Sequence, residues 1–247
     1  MARSTPLRET LELDFGGEEP VPAILQRPLS PSAAPGVLLL HGFSSRKERM
    51  ADTIGRRLAA LGIVSLAIDL PLHGARAGAD QVEGMWRRHP LALARKWELA
   101  IHEAHRAIKY MATLPEIDST RLALAGYSLG AYIGVVVAAE DPLIRVVALT
   151  AGGDLPADIP FGPIVRRITG PLRAVRNLGG RTLLMVNGRR DRTVAPSQAQ
   201  ALFDAAHEPK ELRWYDGGHW PPDSVFASVA DWLAEQLLDV QAHRGSA

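Results

Sequence analysis

The sequence predicts a single α/β domain: a mostly parallel central sheet of about eight strands, opened by an antiparallel hairpin and covered by helices on both faces. Three observations predict it. Short runs apolar on both sides recur along the chain, segments of helical periodicity separate them, and 247 residues suit one domain of this class.

Leu11 and Leu13, then Val21 to Leu25, alternate or cluster as two edge strands around the turn at Gly16-Gly17. A loop rich in proline, serine and alanine, Pro28 to Pro35, leads into Val37-Leu38-Leu39-Leu40, which is too apolar for a half-exposed strand and is expected to be buried and parallel. The same signature returns at Ile63 to Ile68, Leu122 to Ala125, Val146 to Leu149 and Thr182 to Val186, with a last strand at Leu212 to Tyr215. Helical spacing fills residues 47–61, 91–113, 128–139, 196–206 and 223–239, for example with Ala104, Ile108 and Met111 on one face.

Two stretches interrupt the alternation: residues 73–90, carrying Met85 and Trp86, and residues 152–178, carrying Pro156, Pro160, Phe161, Pro163 and Pro171. Both leave the carboxyl ends of parallel strands, where open α/β sheets bind ligands. They are expected to be small caps over a pocket within one domain spanning 1–247; the competing reading is an ordinary surface connection.

Apolar residues make up 47% of the chain and charged residues 22%, an ordinary globular balance. A net charge of +1, with basic and acidic residues interspersed, gives no electrostatic footprint for nucleic acid. The one basic cluster, Arg166, Arg167, Arg173 and Arg176, reads as a solvated face. The absence of cysteine excludes disulfides, thiolate metal sites and a cysteine nucleophile. The segment from Met1 to Phe15 carries charges at Arg3, Arg8, Glu9, Glu12 and Asp14, unlike a signal peptide, and no apolar run matches a bilayer about 30 Å thick. A soluble cytoplasmic location is the expectation. No phosphate-binding loop or paired metal-ligand motif is found, so neither cofactor nor metal is expected. Oligomeric state is left open.

The chemistry starts at Gly126-Tyr127-Ser128-Leu129-Gly130. This Gly-x-Ser-x-Gly motif lies directly between an apolar strand and a helix, where a sharp turn displays the serine and only glycine fits on either side. The N–H of Leu129 then opens a helix beside the developing oxyanion. Serine needs a base to take its proton, and of the eight histidines His219 fits: it follows the last strand in Asp216-Gly217-Gly218-His219-Trp220, where glycines let the ring reach back. His102 and His105 belong to a helix, His207 and His243 lie near helix ends, and His73 and His89 fall in the first suspected cap. His41, ending a strand before Gly42-Phe43, is placed to shape a loop rather than to move a proton. Asp191, just after the strand Thr182 to Val186, is the carboxylate expected to orient His219, in the order Ser, Asp, His. Asp216 is its rival but shares the histidine's own loop; Asp154 and Asp158 are weaker still.

Together His41-Gly42-Phe43, the turn at Ser128, the Gly-x-x-Asp context of Asp191 and the glycine-flanked His219 resemble the α/β-hydrolase superfamily, and within it single-domain esterases related to dienelactone hydrolases and prolyl-oligopeptidase catalytic domains. The resemblance spans most of the chain. It implies an α/β-hydrolase fold and makes the backbone N–H of Phe43 the second oxyanion donor, beside Leu129. In dienelactone hydrolases proper the nucleophile is a cysteine, so Ser128 turns the expectation toward ordinary ester hydrolysis of short-chain or aryl esters. Met85, Trp86, Phe161, Ile164 and Trp220 are the expected pocket residues. A thioesterase or small peptidase of the same fold, and a non-catalytic ligand-binding protein on this scaffold, are the alternatives. A histidine base must be neutral to accept a proton, so activity is expected to fall in acid.

Overall fold

The computed structural model describes residues 7–17, 19–29, 33–76, 90–156, 162–168 and 170–238. Its strands are β1 (Leu7–Leu13), β2 (Val21–Arg27), β3 (Ala34–Leu40), β4 (Val64–Ile68), β5 (Ile117–Tyr127), β6 (Ile144–Thr150), β7 (Thr182–Gly188) and β8 (Lys210–Tyr215). They form one sheet in the order β1-β2-β4-β3-β5-β6-β7-β8. The β1–β2 hairpin joins β4 antiparallel, and every contact from β4 to β8 is parallel. The expected mostly parallel sheet with an N-terminal antiparallel hairpin is therefore observed.

The parallel strands are apolar on both sides because both sides are covered. In β3, Leu38 and Leu40 join the core on one face and Val37 and Leu39 the core on the other; in β7, Leu183 and Met185 oppose Leu184 and Val186 in the same way. One face is packed by α1 (Lys47–Met50) and α2 (Arg56–Ala60), joined through a wider helical turn at Ala51–Gly55, together with the final helix, α8 (Asp223–Leu238). The other carries α3 (Pro90–Thr113), α4 (Leu129–Glu140), α6 (Pro171–Arg176) and α7 (Pro196–Ala205). Helix α4 is apolar nearly all round, as a helix enclosed between a sheet and other helices must be. A short helix, α5 (Gly162–Ile168), precedes α6.

Two sequence expectations shift. The loop ending at Pro35 is shorter than expected: β3 begins at Ala34, whose N–H donates to the Glu116 carbonyl at 2.8 Å and pairs the strand with Ile117. The helix expected over 47–61 is broken by the wider turn, which brings Met50, Ala51 and Ile54 together against the sheet. Among the described residues no helix is long and apolar enough to cross a membrane, and no group of side chains has the arrangement of a metal site.

Candidate active site

The carboxyl ends of β5, β7 and β8 bring three side chains into one line. Ser128 follows β5, Asp191 follows β7 and His219 lies between β8 and α8. Ser128 Oγ stands 2.8 Å from His219 Nε2, and His219 Nδ1 stands 2.8 Å from Asp191 Oδ2. A carboxylate can only accept, so Nδ1 carries the hydrogen and Nε2 is left to accept from the serine hydroxyl. Asp191 is buried, and its other oxygen accepts the N–H groups of Thr193 at 2.8 Å and Val194 at 2.9 Å, which fixes its plane. Asp216 points elsewhere: its exposed carboxylate pairs with Arg190 at 3.1 Å. Asp154 is bound by Arg166, which also donates to the Leu155 and Pro156 carbonyls, so this member of the basic cluster holds a loop.

The backbone at Ser128 is strained to present the hydroxyl. Its φ of 51° and ψ of −111° are costly for a residue with a Cβ, on the order of 1–3 kcal/mol. The turn survives because its flanks are glycines. A Cβ on Gly126 would overlap the Gly130 carbonyl, and one on Gly130 would overlap the Leu40 carbonyl at the end of β3. The same closeness sets the β3 loop against the serine: a Cβ on Gly42 would lie 2.7 Å from the Tyr127 ring and 3.2 Å from Ser128 Cβ. Leu129 follows the serine directly, and its N–H, at the first position of α4, has no carbonyl partner within its helix.

His41 aims the Phe43 amide. It is fully buried, with Nδ1 2.7 Å from the Gly42 carbonyl and Nε2 accepting the Leu70 N–H at 3.0 Å. The Gly42 C=O and Phe43 N–H belong to one planar trans peptide, so anchoring the carbonyl on His41, with help from the Ser45 N–H at 3.2 Å, turns the N–H to the opposite side. Burial pushes the His41 imidazole down to about 4, which keeps it neutral and its Nε2 available to Leu70.

Behind this loop Asp69, at the end of β4, is wholly buried. It accepts the Lys47 ammonium at 2.8 Å, the Lys47 N–H at 2.7 Å and the Ala75 N–H at 2.9 Å, tying the loops after β3 and β4 together. Two tyrosines do the same for the histidine loop: Tyr127 OH donates to the His219 carbonyl at 3.1 Å and Tyr215 OH to the Gly218 carbonyl at 2.6 Å. Burial raises both phenols, Tyr215 to about 12 and Tyr127 further, so both remain donors. Sequence reasoning missed Asp69, Lys47 and the two tyrosines; the one signal for Tyr127 is its place beside Ser128.

Trp220 stands 70% exposed beside His219 and Tyr127, with ring centroids 6.0 and 6.1 Å away. Of the other expected pocket residues, Met85, Trp86 and Phe161 lie outside the described residues; so does most of the suspected cap at 73–90. Ile164 falls in α5, and its side chain is outside the described set as well.

The sequence pattern of the dienelactone hydrolase family matches residues 21–219. Among curated relatives, the chain is 24% identical to polyketide transferase ATR5 of Stachybotrys chlorohalonatus over 214 residues, which is 79% of this chain and 67% of that protein. It is 26% identical to esterase FrsA of Escherichia coli O157:H7 over 144 residues, 56% of this chain but only 30% of FrsA. In structure it is similar to a cold-adapted esterase from an Arctic intertidal metagenomic library, with a TM-score of 0.70 at 22% identity, covering 93% of both chains; that likeness speaks for the fold.

Proposed function

The chain belongs to the dienelactone hydrolase family, and from that premise we propose that it cleaves carboxylic esters through a covalent acyl-enzyme on Ser128. The observation that carries this reading is the unbroken hydrogen-bonded line Ser128–His219–Asp191, with 2.8 Å at each step. His219 Nε2 takes the hydroxyl proton as Oγ attacks the ester carbonyl. The N–H groups of Phe43 and Leu129 hold the resulting oxyanion, and Asp191 stabilises the imidazolium. His219 then returns its proton to the leaving alcohol as the carbon–oxygen bond breaks. Water, deprotonated by the same nitrogen, releases the acid and restores the serine. Short-chain or aryl esters are the substrates, and the segments at 73–90 and 152–178 serve as caps of a single domain.

Ser128→Ala tests the nucleophile. By analogy with other serine hydrolases it should lower kcat on an activated nitrophenyl ester on the order of 10⁶-fold while leaving the unfolding midpoint near that of the parent. A fluorophosphonate probe should label the parent at Ser128 and the variant nowhere. A variant that hydrolyses the ester at close to the parent rate would refute the assignment.

A further inference from the structure

The glycines around His219 serve closeness rather than an unusual backbone, since neither Gly217 nor Gly218 takes a left-handed φ. A Cβ on Gly217 would lie 2.8 Å from the Tyr215 ring. One on Gly188, at the end of β7, would lie 2.5 Å from the Gly218 carbonyl oxygen and 2.6 Å from that of Gly217. The missing side chains let the end of β7, the Tyr215 ring and the histidine loop close on one another.

Three consecutive carbonyls of that loop are then occupied. The Gly217 oxygen accepts the Arg190 N–H at 2.9 Å, the Gly218 oxygen the Tyr215 hydroxyl at 2.6 Å, and the His219 oxygen the Tyr127 hydroxyl at 3.1 Å. The last two belong to the peptides on either side of the His219 Cα. Peptides are planar, so the soft torsions at that residue are φ and ψ alone, the rotations of these two planes about Cα. Holding both oxygens fixes both rotations, and with them the direction in which Cβ and the imidazole leave the backbone. Holding one would leave the other plane free to turn.

The phenols can act as fixed points because their own places are fixed. Tyr127, ending β5, is 2% exposed; its ring stands edge-on to Phe226 and lies beside the His219 ring, centroids 5.7 Å away in each case. It also fills the space that a side chain on Gly42 would need. Tyr215 ends β8, where the sheet pairs it with Gly188.

We propose that Tyr127 and Tyr215 are positioning residues that act through His219: gripping the peptides after and before it, they aim its Nε2 at Ser128. This rests on Ser128 being the nucleophile.

Tyr127→Phe and Tyr215→Phe each remove one hydroxyl and keep the ring. The test measures kcat on a nitrophenyl ester per serine labelled at completion by the fluorophosphonate. It should fall about 10-fold in each variant, the upper worth of a neutral hydrogen bond, with KM within about two-fold of the parent because both hydroxyls face the backbone rather than the substrate. The downfield proton resonance of His219 Nδ1–H, held by Asp191, should broaden in both. A purely structural role would lower the unfolding midpoint and the fraction of serine labelled, and leave the per-site kcat and the resonance where they are; that result overturns the proposal. So does a loss carried wholly by KM, or a loss in one variant alone, since the direction of Cβ depends on both planes. If the parent is labelled at Ser128 and the variants turn over like it, the nucleophile stands and only the positioning role falls. If the parent serine resists the probe, both fall.

Discussion

Two aspartate–histidine pairs stand at the carboxyl edge of the same sheet, and they are built for opposite ends. Asp191 and His219 stand 2.8 Å apart with the second ring nitrogen facing Ser128, and the histidine side chain is 12% exposed. Asp69 and His41 are 3.8 Å apart, both fully buried, and every polar atom of the histidine is committed to backbone: Nδ1 to Gly42, Nε2 to Leu70. Asp69 serves Lys47 and Ala75 instead. What separates the two pairs is therefore whether one imidazole nitrogen is left facing a side-chain hydroxyl, as His219 Nε2 faces Ser128, or both are committed to backbone, as in His41.

After loss of the serine itself, the largest expected effect breaks the first pair. Asp191→Asn presents an amide N–H to His219 and forces its hydrogen onto Nε2, which can then no longer accept from Ser128. We expect kcat on a nitrophenyl ester to fall about 10⁴-fold, with little change in urea unfolding because an asparagine oxygen still accepts Thr193 and Val194. Asp216→Asn should leave the rate within about two-fold, its carboxylate being an exposed partner of Arg190. Equal losses in the two variants would contradict the division of roles.

Breaking the second pair should do the reverse. Asp69→Asn removes the charge facing Lys47, whose side chain is only 6% exposed and retains Glu48 at 3.1 Å as its other acidic neighbour. Losing one partner of a buried ion pair costs about 3–5 kcal/mol, and Glu48 places the expectation near the lower figure, read as a lower urea midpoint at unchanged slope. The rate should move far less than in Asp191→Asn. A variant as stable as the parent would show that Asp69 does not hold the two loops together.

The pairs also differ in how far the sequence exposes them. Ser128 and Asp191 each follow a short apolar run and His219 a mixed strand, all three in glycine-bearing turns, which brings them to notice in the sequence, and buried parallel strands such as Val37 to Leu40 are apolar enough to be seen without neighbours. The Asp69–Lys47 bond joins residues 22 apart that no local pattern links, and it follows from where β3 and β4 lie beside each other. The turn of the Gly42–Phe43 peptide was hidden for the same reason: it depends on Leu70 meeting His41 across the sheet edge. Strand β1 was only half visible. Its ladder with β2 runs from Leu7 to Leu13, yet Leu7 to Thr10 are exposed, so backbone pairing carries the strand where side-chain alternation does not.

The last expected effect concerns the acid response of His41. His41 is held near pKa 4 in the folded chain, against about 6.5 when unfolded, with His73, Asp69 and Glu48 as the ionisable groups acting on it. Between those values the unfolded chain binds a proton that the folded chain refuses, so His41 makes stability fall as pH drops from about 6.5 to about 4, and its contribution levels off below that. The full effect is on the order of 3 kcal/mol. His41→Gln can still donate to Gly42 and accept from Leu70 but does not titrate. Urea unfolding of both proteins at a series of pH values should therefore give parallel curves above pH 6.5 and a steeper decline for the parent below it. If the two declined in parallel throughout the acid range, His41 would have to be taking up its proton in the folded protein, and a neutral Nε2 could not be what holds the Leu70 N–H.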